Sequence, residues 1–222
     1  CLHNTGSRDE TFAAVDQLWA QRLVPFEDNL RHRRRAPRPP GPILVAPDES
    51  WPRQAQRVMA RVAAVAAGRA VRIDHIGSTS VPGLDAKDVL DVQVVVADLE
   101  VAKQLADDLL GAGLIRLTGH WWDNAPDGGT WDKAIAVNAD PARAVNCHIR
   151  PIDSPAWRQT VLLRDWLRAH PSSARKYAEV KRRLAARPWD SIDAYADAKT
   201  PFVHAALDRA QHWAARTGWR VE

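Results

Sequence analysis

The chain has 222 residues and a formal net charge of +4, with 45% hydrophobic and 26% charged residues. This composition is ordinary for a globular protein, and the mixing of acidic with basic residues argues against a dedicated DNA-binding protein. The two cysteines are too few for a disulfide framework, and no apolar run is long enough to cross a membrane, so we expect a cytoplasmic protein without a membrane partner.

The first predicted element is an amphipathic helix that ends at Pro25. Ser7 and Glu10 form the S-x-x-E pattern of a capping box. Apolar residues then recur at helical spacing: Phe12, Val15, Leu18, Trp19 and Leu23. Segment 32–42 is rich in arginine and proline, which predicts an extended linker, and a solvated hinge is favoured over a contact with nucleic acid. The chain opens on Cys1 rather than methionine, which suggests a piece of a longer protein.

The remaining pattern predicts an α+β fold, in which a mixed sheet is followed by a helical segment. Short apolar runs predict strands at 43–46, 70–76, 89–96, 114–118, 133–138 and 144–150, the last two forming a hairpin. Residues 119–132 are predicted to form a loop. Helical periodicity predicts helices at 50–67, 99–110, 155–169, 172–186 and 191–216, the last interrupted at Pro201.

The stretch "HIGSTSVPGL", residues 75–84, joins two of these strands. Its glycines and hydroxyl residues suit backbone N–H groups that face a phosphate. The chain has neither a Walker A pattern nor the G-x-G-x-x-G of dinucleotide-binding folds. Taken alone, the stretch is explained more simply as a tight turn.

The strand after this loop carries Asp91, and alternation places residue 93 on the same face. Two carboxylates so placed would hold Mg²⁺, as in polymerase-β-like nucleotidyltransferases. Residue 93 is Gln93, however, and a neutral amide is a poor ligand for a hard cation. Asp88 is the alternative second carboxylate, although the strand alternation would turn it away from Asp91.

The longer stretch "IDHIGSTSVPGLDAKDVLDVQVVV" resembles the signature of the GrpB family, a group with a nucleotidyltransferase fold. The matching residues are His75, Gly77, Ser78, Thr79, Val81, Pro82, Gly83, Leu84, Lys87 and Asp91. Three later patterns are also similar to the family, and they supply His148, Arg164, Asp165, Arg168, Tyr177, Lys181, Tyr195 and Lys199. The resemblance spans residues 43–207 and implies a nucleotidyltransferase-like mixed β-sheet with flanking helices and a C-terminal helical segment.

The N-terminal stretch resembles the closing strand and helix of actinobacterial dephospho-CoA kinases, in which a GrpB-like domain follows the kinase domain. This resemblance implies that residues 1–31 are the end of a kinase domain, that 32–42 are a basic linker, and that 43–222 are a GrpB-like domain. The partner would then be the attached kinase domain, which uses ATP. This chain has no P-loop, so we do not expect it to phosphorylate dephospho-CoA by itself.

The GrpB resemblance also implies a site. The expected phosphate- or nucleotide-binding residues are Gly77, Ser78, Thr79, Lys87, Lys133, His148, Arg150, Arg164, Lys181 and Lys199. Asp91 would be the catalytic and metal-binding residue, with Mg²⁺ as the cofactor and Asp88 as its second carboxylate. Asn146 and His148 lie where a third carboxylate is expected.

These observations leave two main hypotheses. The favoured one is a non-catalytic module that binds a nucleotide or CoA-like phosphate, or that stabilises or regulates the attached kinase, because carboxylates are missing from the expected metal site. The alternative is a Mg²⁺-dependent nucleotidyltransferase that uses a nucleoside triphosphate. A third, weaker hypothesis is a nucleic-acid binder that uses the arginines of segment 32–42.

Overall fold

The computed structural model describes residues 5–221, except for the side chain of Asp193. Its strands are β1 Arg72–Ile76, β2 Val89–Val96, β3 Leu114–Arg116, β4 Trp121–Asn124, β5 Thr130–Asn138 and β6 Ala144–Pro151. Its helices are α1 Arg8–Leu18, α2 Val24–Arg31, α3 Trp51–Ala66, α4 Leu99–Asp108, α5 Pro155–Ala169, α6 Pro171–Ala185, α7 Ile192–Asp197 and α8 Thr200–Thr217. Within the described range, no helix is both long and apolar enough to cross a bilayer.

The strands form a single mixed sheet in the order β1-β2-β6-β5-β3, with β4 paired to β5. The neighbours β2 and β6 run parallel, whereas the other described pairs are antiparallel. The predicted α+β fold and the predicted hairpin of β5 with β6 are confirmed.

The alternation of β2 separates an apolar face of the sheet from a polar one. On the apolar face Leu90, Val92, Val94 and Val96 are buried in a core that includes residues of α3 and α4. Each fully buried side chain of this size contributes about 1.5–3 kcal/mol. The opposite face carries Asp91 and Gln93 and is covered by α5. Gln93 Nε2 donates a hydrogen bond of 3.2 Å to the carbonyl of Trp157, which lies in that helix.

Pro25 does not end the N-terminal helix, so that prediction is wrong. Residues 19–23 form a π-helical turn, in which Val24 N–H donates to Trp19 O, and α2 continues from there to Arg31. Proline lacks an N–H and its ring clashes with the preceding turn of an α-helix. The wider π turn places Pro25 at the start of α2, where neither the missing N–H nor the ring of proline interrupts the helix.

The basic segment 32–42 is extended, but it is not a solvated hinge. Ala36 is fully buried, and its N–H donates to Asn138 O at 3.0 Å. Arg38 donates to the side-chain oxygens of Asn138 and Asn146 at 2.7 and 2.8 Å. The segment therefore packs along the end of β5 and β6, and at least one of its arginines is used within the fold.

Two further predictions are wrong. The predicted strand 43–46 is reduced to a single bridge between Val45 and Ala86, because Pro42 and Pro47 flank the run and lack a backbone N–H. The predicted loop 119–132 is a β-hairpin of β4 and the start of β5. Its turn closes with Ala125 N–H donating to Gly129 O at 2.9 Å. The burial of β4 alternates along the strand, but its sequence, WWDN, does not alternate apolar with polar residues, so the pattern could not be recognised.

Candidate functional site

A cleft of ≈ 440 Å³ opens on the polar face of the sheet. Its walls come from β2, β6, the glycine-containing loop after β1, α6, and the segment that joins α7 to α8. Its basic residues are Lys87, Arg150, Lys181 and Lys199, and its acidic residues are Asp91 and Asp123. The cleft is therefore richer in cations than in carboxylates.

The glycine-containing loop passes directly against the Asp91 side chain at Gly77. Gly77 has φ +70°, and a Cβ at this position would lie 2.4 Å from Asp91 Oδ2. A side chain is excluded by both conformation and space. The following residues form a single 3₁₀ turn in which Ser80 Oγ donates to Gly77 O at 2.6 Å. This turn leaves Ser78 in the wall of the cleft.

Asp91 is held by two neighbours on β6. Asn146 Nδ2 donates to Asp91 Oδ1 at 2.8 Å, and His148 Nε2 lies 3.8 Å from the same oxygen. Burial opposes the ionisation of Asp91, but His148, Asn146 and Lys87 outweigh it and lower its pKa below the ordinary value. Burial and the positive charge of Lys133 both lower the pKa of His148. The lowered pKa favours the neutral imidazole at neutral pH.

Gln93 occupies the position where a second metal-binding carboxylate was expected, and its amide is fully buried. Its Nε2 donates to Asp74 Oδ2 at 2.9 Å, and its Oε1 accepts from Arg150 Nη1 at 2.8 Å. Arg72 completes the arrangement with two hydrogen bonds to Asp74. Only a group with both a donor and an acceptor can bridge a carboxylate and a guanidinium in this way. Gln93 is therefore a structural bridge between strands.

Asp123 on β4 is a cleft residue that the sequence analysis missed, because its hairpin was interpreted as a loop. Arg150 donates two hydrogen bonds to it, at 2.8 and 3.0 Å, and Lys133 forms an ion pair with it. Burial opposes its ionisation, but Arg150 and Lys133 hold the pKa of Asp123 well below its usual range. Its negative charge is thus already matched by two protein cations.

The donor set of this cleft does not fit a two-metal centre. Across residues 5–221, no group of three or more His, Cys, Asp or Glu side chains is placed to hold a metal ion. Asp123 is neutralised by Arg150 and Lys133, and the amide of Gln93 is engaged on both sides. The Asp91 side chain is 28% exposed and forms no ion pair with a described lysine or arginine, so it is the one cleft carboxylate within that range not matched by such a cation. Two-metal catalysis needs several carboxylate oxygens around each ion.

Two lysines and two tyrosines line the far side of the cleft. Lys181 donates to Ser78 Oγ at 3.1 Å and to the carbonyl of Asp85, and its ammonium lies 4.7 Å from the Tyr177 ring centroid. Lys199 lies 4.5 Å from the Tyr195 ring centroid. Burial, together with neighbouring lysines, lowers the pKa of Lys181 to about 7 and that of Lys199 to about 8.

Buried polar groups in this wall lack protein partners. The Tyr195 side chain is 1% exposed, and among the described residues its hydroxyl has no hydrogen-bond partner. The side chain of Lys199 is half-buried and makes no hydrogen bond or ion pair within that range, so its cation–π contact is its principal interaction with the protein. A buried hydroxyl without a partner is costly, and a ligand oxygen in the cleft would give the half-buried Lys199 ammonium the partner that it lacks.

The structure brings most of the predicted site residues together. Those that line the cleft are Gly77, Ser78, Lys87, Asp91, His148, Arg150, Lys181 and Lys199. Lys133 reaches the cleft only through its ion pair with Asp123.

The other predicted residues are used elsewhere. Asp88 accepts from Trp51 Nε1 at 2.8 Å and pairs with Arg143, on the side of α3, so it does not join Asp91. The Thr79 hydroxyl is buried against His75, at 3.0 Å. Arg164 pairs with Asp165 and caps the carbonyl of His75.

The two strand histidines face opposite sides of the sheet. His148 pairs with Gln93, on the polar face, whereas His75 pairs with Val92, on the apolar face. Burial lowers the pKa of His75 to about 4, so it is neutral at physiological pH. His75 supports the loop through Thr79 and does not contact the cleft.

Three matches to known proteins differ in their similarity to this chain. The chain is 39% identical, over 236 residues, to the dephospho-CoA kinase of Mycolicibacterium paratuberculosis, and this match covers 99% of the chain but only 58% of that kinase. The fold is similar to that of GrpB from Enterococcus faecalis, with a TM-score of 0.61 at 24% identity over 77% of this chain and 99% of that one. A more distant likeness, with a TM-score of 0.41 at 11% identity over 64% and 44% of the two chains, is to Cid1 poly(U) polymerase.

The family model described as GrpB protein matches residues 42–209. This range contains the whole sheet, the loop at Gly77 and the lysines of α6 and of the α7–α8 junction. It agrees with the range of 43–207 expected from the sequence patterns. The chain therefore belongs to the GrpB family.

Proposed function

We propose that the cleft binds the phosphate groups of a nucleotide or CoA-like ligand without metal-dependent catalysis, in a module attached to a kinase domain. The observation that carries this proposal is that two groups of one wall lack hydrogen-bond partners among the described residues, the buried Tyr195 hydroxyl and the half-buried Lys199 ammonium, in the same cleft as Ser78 and Lys181. Lysine ammonium groups and a serine hydroxyl are donors suited to phosphate oxygens.

The charge balance supports an anion rather than a cation as the ligand. The carboxylate of Asp123 is matched by protein cations, and that of Asp91 is stabilised by Asn146 and His148. Neither Lys181 nor Lys199 forms an ion pair with a described carboxylate, and burial is the main cause of their lowered pKa values, with neighbouring lysines adding to it. A bound phosphate would favour the protonated form of both lysines and would offset the repulsion between their positive charges.

The direct test is calorimetric titration with inorganic pyrophosphate in EDTA. We expect wild-type binding, and Lys199→Met should weaken it by roughly 10- to 100-fold, the value of one hydrogen bond to a charged group. Lys103→Met is the matched control, because Lys103 is an exposed lysine on α4, across the sheet from the cleft. Equal affinities for the wild type and Lys199→Met would contradict the proposal.

The N-terminal helix supports attachment to another body. Phe12 is 52% exposed and Trp19 61% exposed, and α1 has no buried residue. The chain spans 58% of the length of the kinase relative that it matches, and we propose that this apolar surface packs on a preceding ATP-dependent kinase domain in a longer protein. Hydrogen exchange across residues 8–24 should then be slower in the longer protein than in this chain alone. Equal exchange would contradict this part of the proposal.

The alternative, a Mg²⁺-dependent nucleotidyltransferase, rests on Asp91 and on the loop at Gly77. It requires a second carboxylate, and neither Asp88 nor Gln93 supplies one. Turnover of a nucleoside triphosphate that is lost in Asp91→Asn would favour this alternative over the binding module.

A further inference from the structure

A second, smaller pocket of ≈ 230 Å³ adjoins the cleft, and we call it the side pocket. It lies between the β4–β5 hairpin and helices α5 and α8. Its apolar walls are formed largely by Trp131, Leu163, Val203 and Leu207. It is smaller than the roughly 300 Å³ at which pockets for drug-sized ligands begin, and a single aromatic ring system matches this size better.

We propose that the side pocket holds the aromatic base of the ligand, so that the ligand is a phosphorylated nucleoside rather than a simple phosphate or polyphosphate. This inference rests on the proposed function, because it assumes that the phosphate occupies the cleft. The flat indole of Trp131 and the branched side chains of Leu163, Val203 and Leu207 suit an aromatic ring. Transfer of the apolar faces of such a ring from water into the pocket is also favourable.

The two pockets share part of their walls. Asp123 and Thr160 line both the cleft and the side pocket. Thr200, in the side pocket, directly follows Lys199, in the cleft. A phosphate held by Lys199 therefore lies next to the entrance of the side pocket, as required for two parts of one molecule.

The side pocket also has polar groups that are free to recognise a base. Gln159 and His204 line it, and neither makes a side-chain hydrogen bond to another described residue. By contrast, the Thr160 hydroxyl donates to Ala156 O at 2.8 Å, and Asn124 Oδ1 accepts from Trp122 Nε1. An amide and an imidazole can donate to and accept from the edge of a base, whereas an inorganic polyphosphate offers nothing to an apolar wall.

The test compares two probes that share the same phosphate chain, ATP and inorganic tripolyphosphate, by calorimetry in EDTA. Stacking of a base on an aromatic side chain contributes about 1–3 kcal/mol, so ATP should bind about 5- to 150-fold more tightly. Val203→Phe, which fills the side pocket, should reduce the affinity for ATP to that for tripolyphosphate and leave tripolyphosphate binding unchanged. Lys199→Met should weaken the binding of both probes.

A milder variant guards against misfolding of Val203→Phe. Gln159→Ala removes a partly exposed side chain, and it should weaken ATP binding by several-fold without changing tripolyphosphate binding. Two results would overturn the proposed base pocket but leave the proposed phosphate site in place. One is equal affinity of the wild type for ATP and tripolyphosphate, and the other is an equal loss of affinity for both probes in Val203→Phe and Gln159→Ala. Failure of both probes to bind would overturn the proposed function, and the base pocket with it.

Discussion

Gln93 Oε1 accepts a 2.8 Å hydrogen bond from Arg150 Nη1, at the strand position where a nucleotidyltransferase-like site needs a carboxylate. The other end of the same amide donates to Asp74. The arrangement continues through Arg150 to Asp123, so a chain of side-chain hydrogen bonds crosses from β1 to β4. The side chain at this strand position is thus engaged in the protein's own hydrogen bonds, and Lys199 is a cleft side chain left without one among the described residues.

The substitution Gln93→Glu should destabilise the protein rather than restore a metal site. A carboxylate here would face Asp74 Oδ2, now 2.9 Å from Gln93 Nε2, in a fully buried position. We expect a loss of about 2–3 kcal/mol in the free energy of unfolding at neutral pH, because like charges are forced together. The new carboxyl would have a raised pKa, so the loss should shrink as pH falls.

Urea denaturation of Gln93→Glu at neutral pH and at successively lower pH checks the prediction. Gln17→Glu, at an exposed position of α1, is the control and should change stability by less than about 0.5 kcal/mol. Adding Asp74→Asn should recover much of the loss, because it removes the opposing charge. Wild-type stability in Gln93→Glu would show that the amide bridge has little energetic role.

The substitution Arg38→Ala should loosen the basic segment from the sheet. Arg38 donates to Asn138, Asn146 and the carbonyl of Val145, and its removal deprives all three acceptors of a donor, although Asn138 Oδ1 still accepts from Val145 N–H. We expect destabilisation of about 2–3 kcal/mol by thermal or chemical denaturation. Arg35→Ala, at an exposed position of the same segment, should cost less than about 0.5 kcal/mol. Equal effects of the two variants would contradict the packing role of Arg38.

Anion binding in the cleft should weaken as pH rises. The pKa of Lys181 is lowered to about 7 and that of Lys199 to about 8. Both ammonium groups therefore lose their protons at pH values at which an ordinary lysine stays protonated. Sulfate is a suitable probe because its own charge is constant in this range. Its dissociation constant should rise about tenfold between about pH 6 and pH 9. In the double variant Lys181→Gln/Lys199→Gln, this pH dependence should disappear; its persistence would exclude these lysines.

Acid should destabilise the protein through His75. Burial lowers the folded-state pKa of His75 to about 4 from an ordinary value of 6.5, with Arg168 and Arg164 adding to the shift and Asp91 opposing it. Below pH 6.5 the unfolded chain takes up a proton that the folded chain refuses, so stability falls as pH falls toward 4. This group contributes up to about 1.4 kcal/mol per pH unit in that window.

A comparison of the wild type with His75→Gln isolates that contribution. The variant keeps a polar side chain near Thr79 but cannot become protonated, so its stability should depend less on pH between about 4 and 6.5. Parallel pH profiles for the two proteins would assign the acid sensitivity to other groups.

The sequence was sufficient for the parts of the fold that depend on local pattern. The apolar alternation of β2 and the helical periodicity of α3 and α5 correspond to the observed elements. The hairpin of β4 and β5 was missed because its residues are polar and aromatic and its strands are only partly buried. The helix beyond Pro25 was missed because a π turn cannot be distinguished from a helix end by periodicity alone.

The site was predictable where the family pattern defines it and not where it depends on pairing between distant strands. The loop at Gly77 and the lysines 181 and 199 were expected and line one cleft. Asp123 was missed because its role depends on Arg150 and Lys133, which reach it from other strands. The position of Asp88 depended on where β2 begins, and its partners Trp51 and Arg143 are remote in sequence.

The central claim is that the cleft holds phosphate groups with protein cations and not with metal ions. Calorimetric titration with ATP in EDTA, and again with excess Mg²⁺, tests it most directly. We predict binding in EDTA that is at least as tight as binding in Mg²⁺, because Lys181 and Lys199 compete with the cation for the same phosphate oxygens. Binding that appears only when Mg²⁺ is present, and that is lost in Asp91→Asn, would contradict the claim.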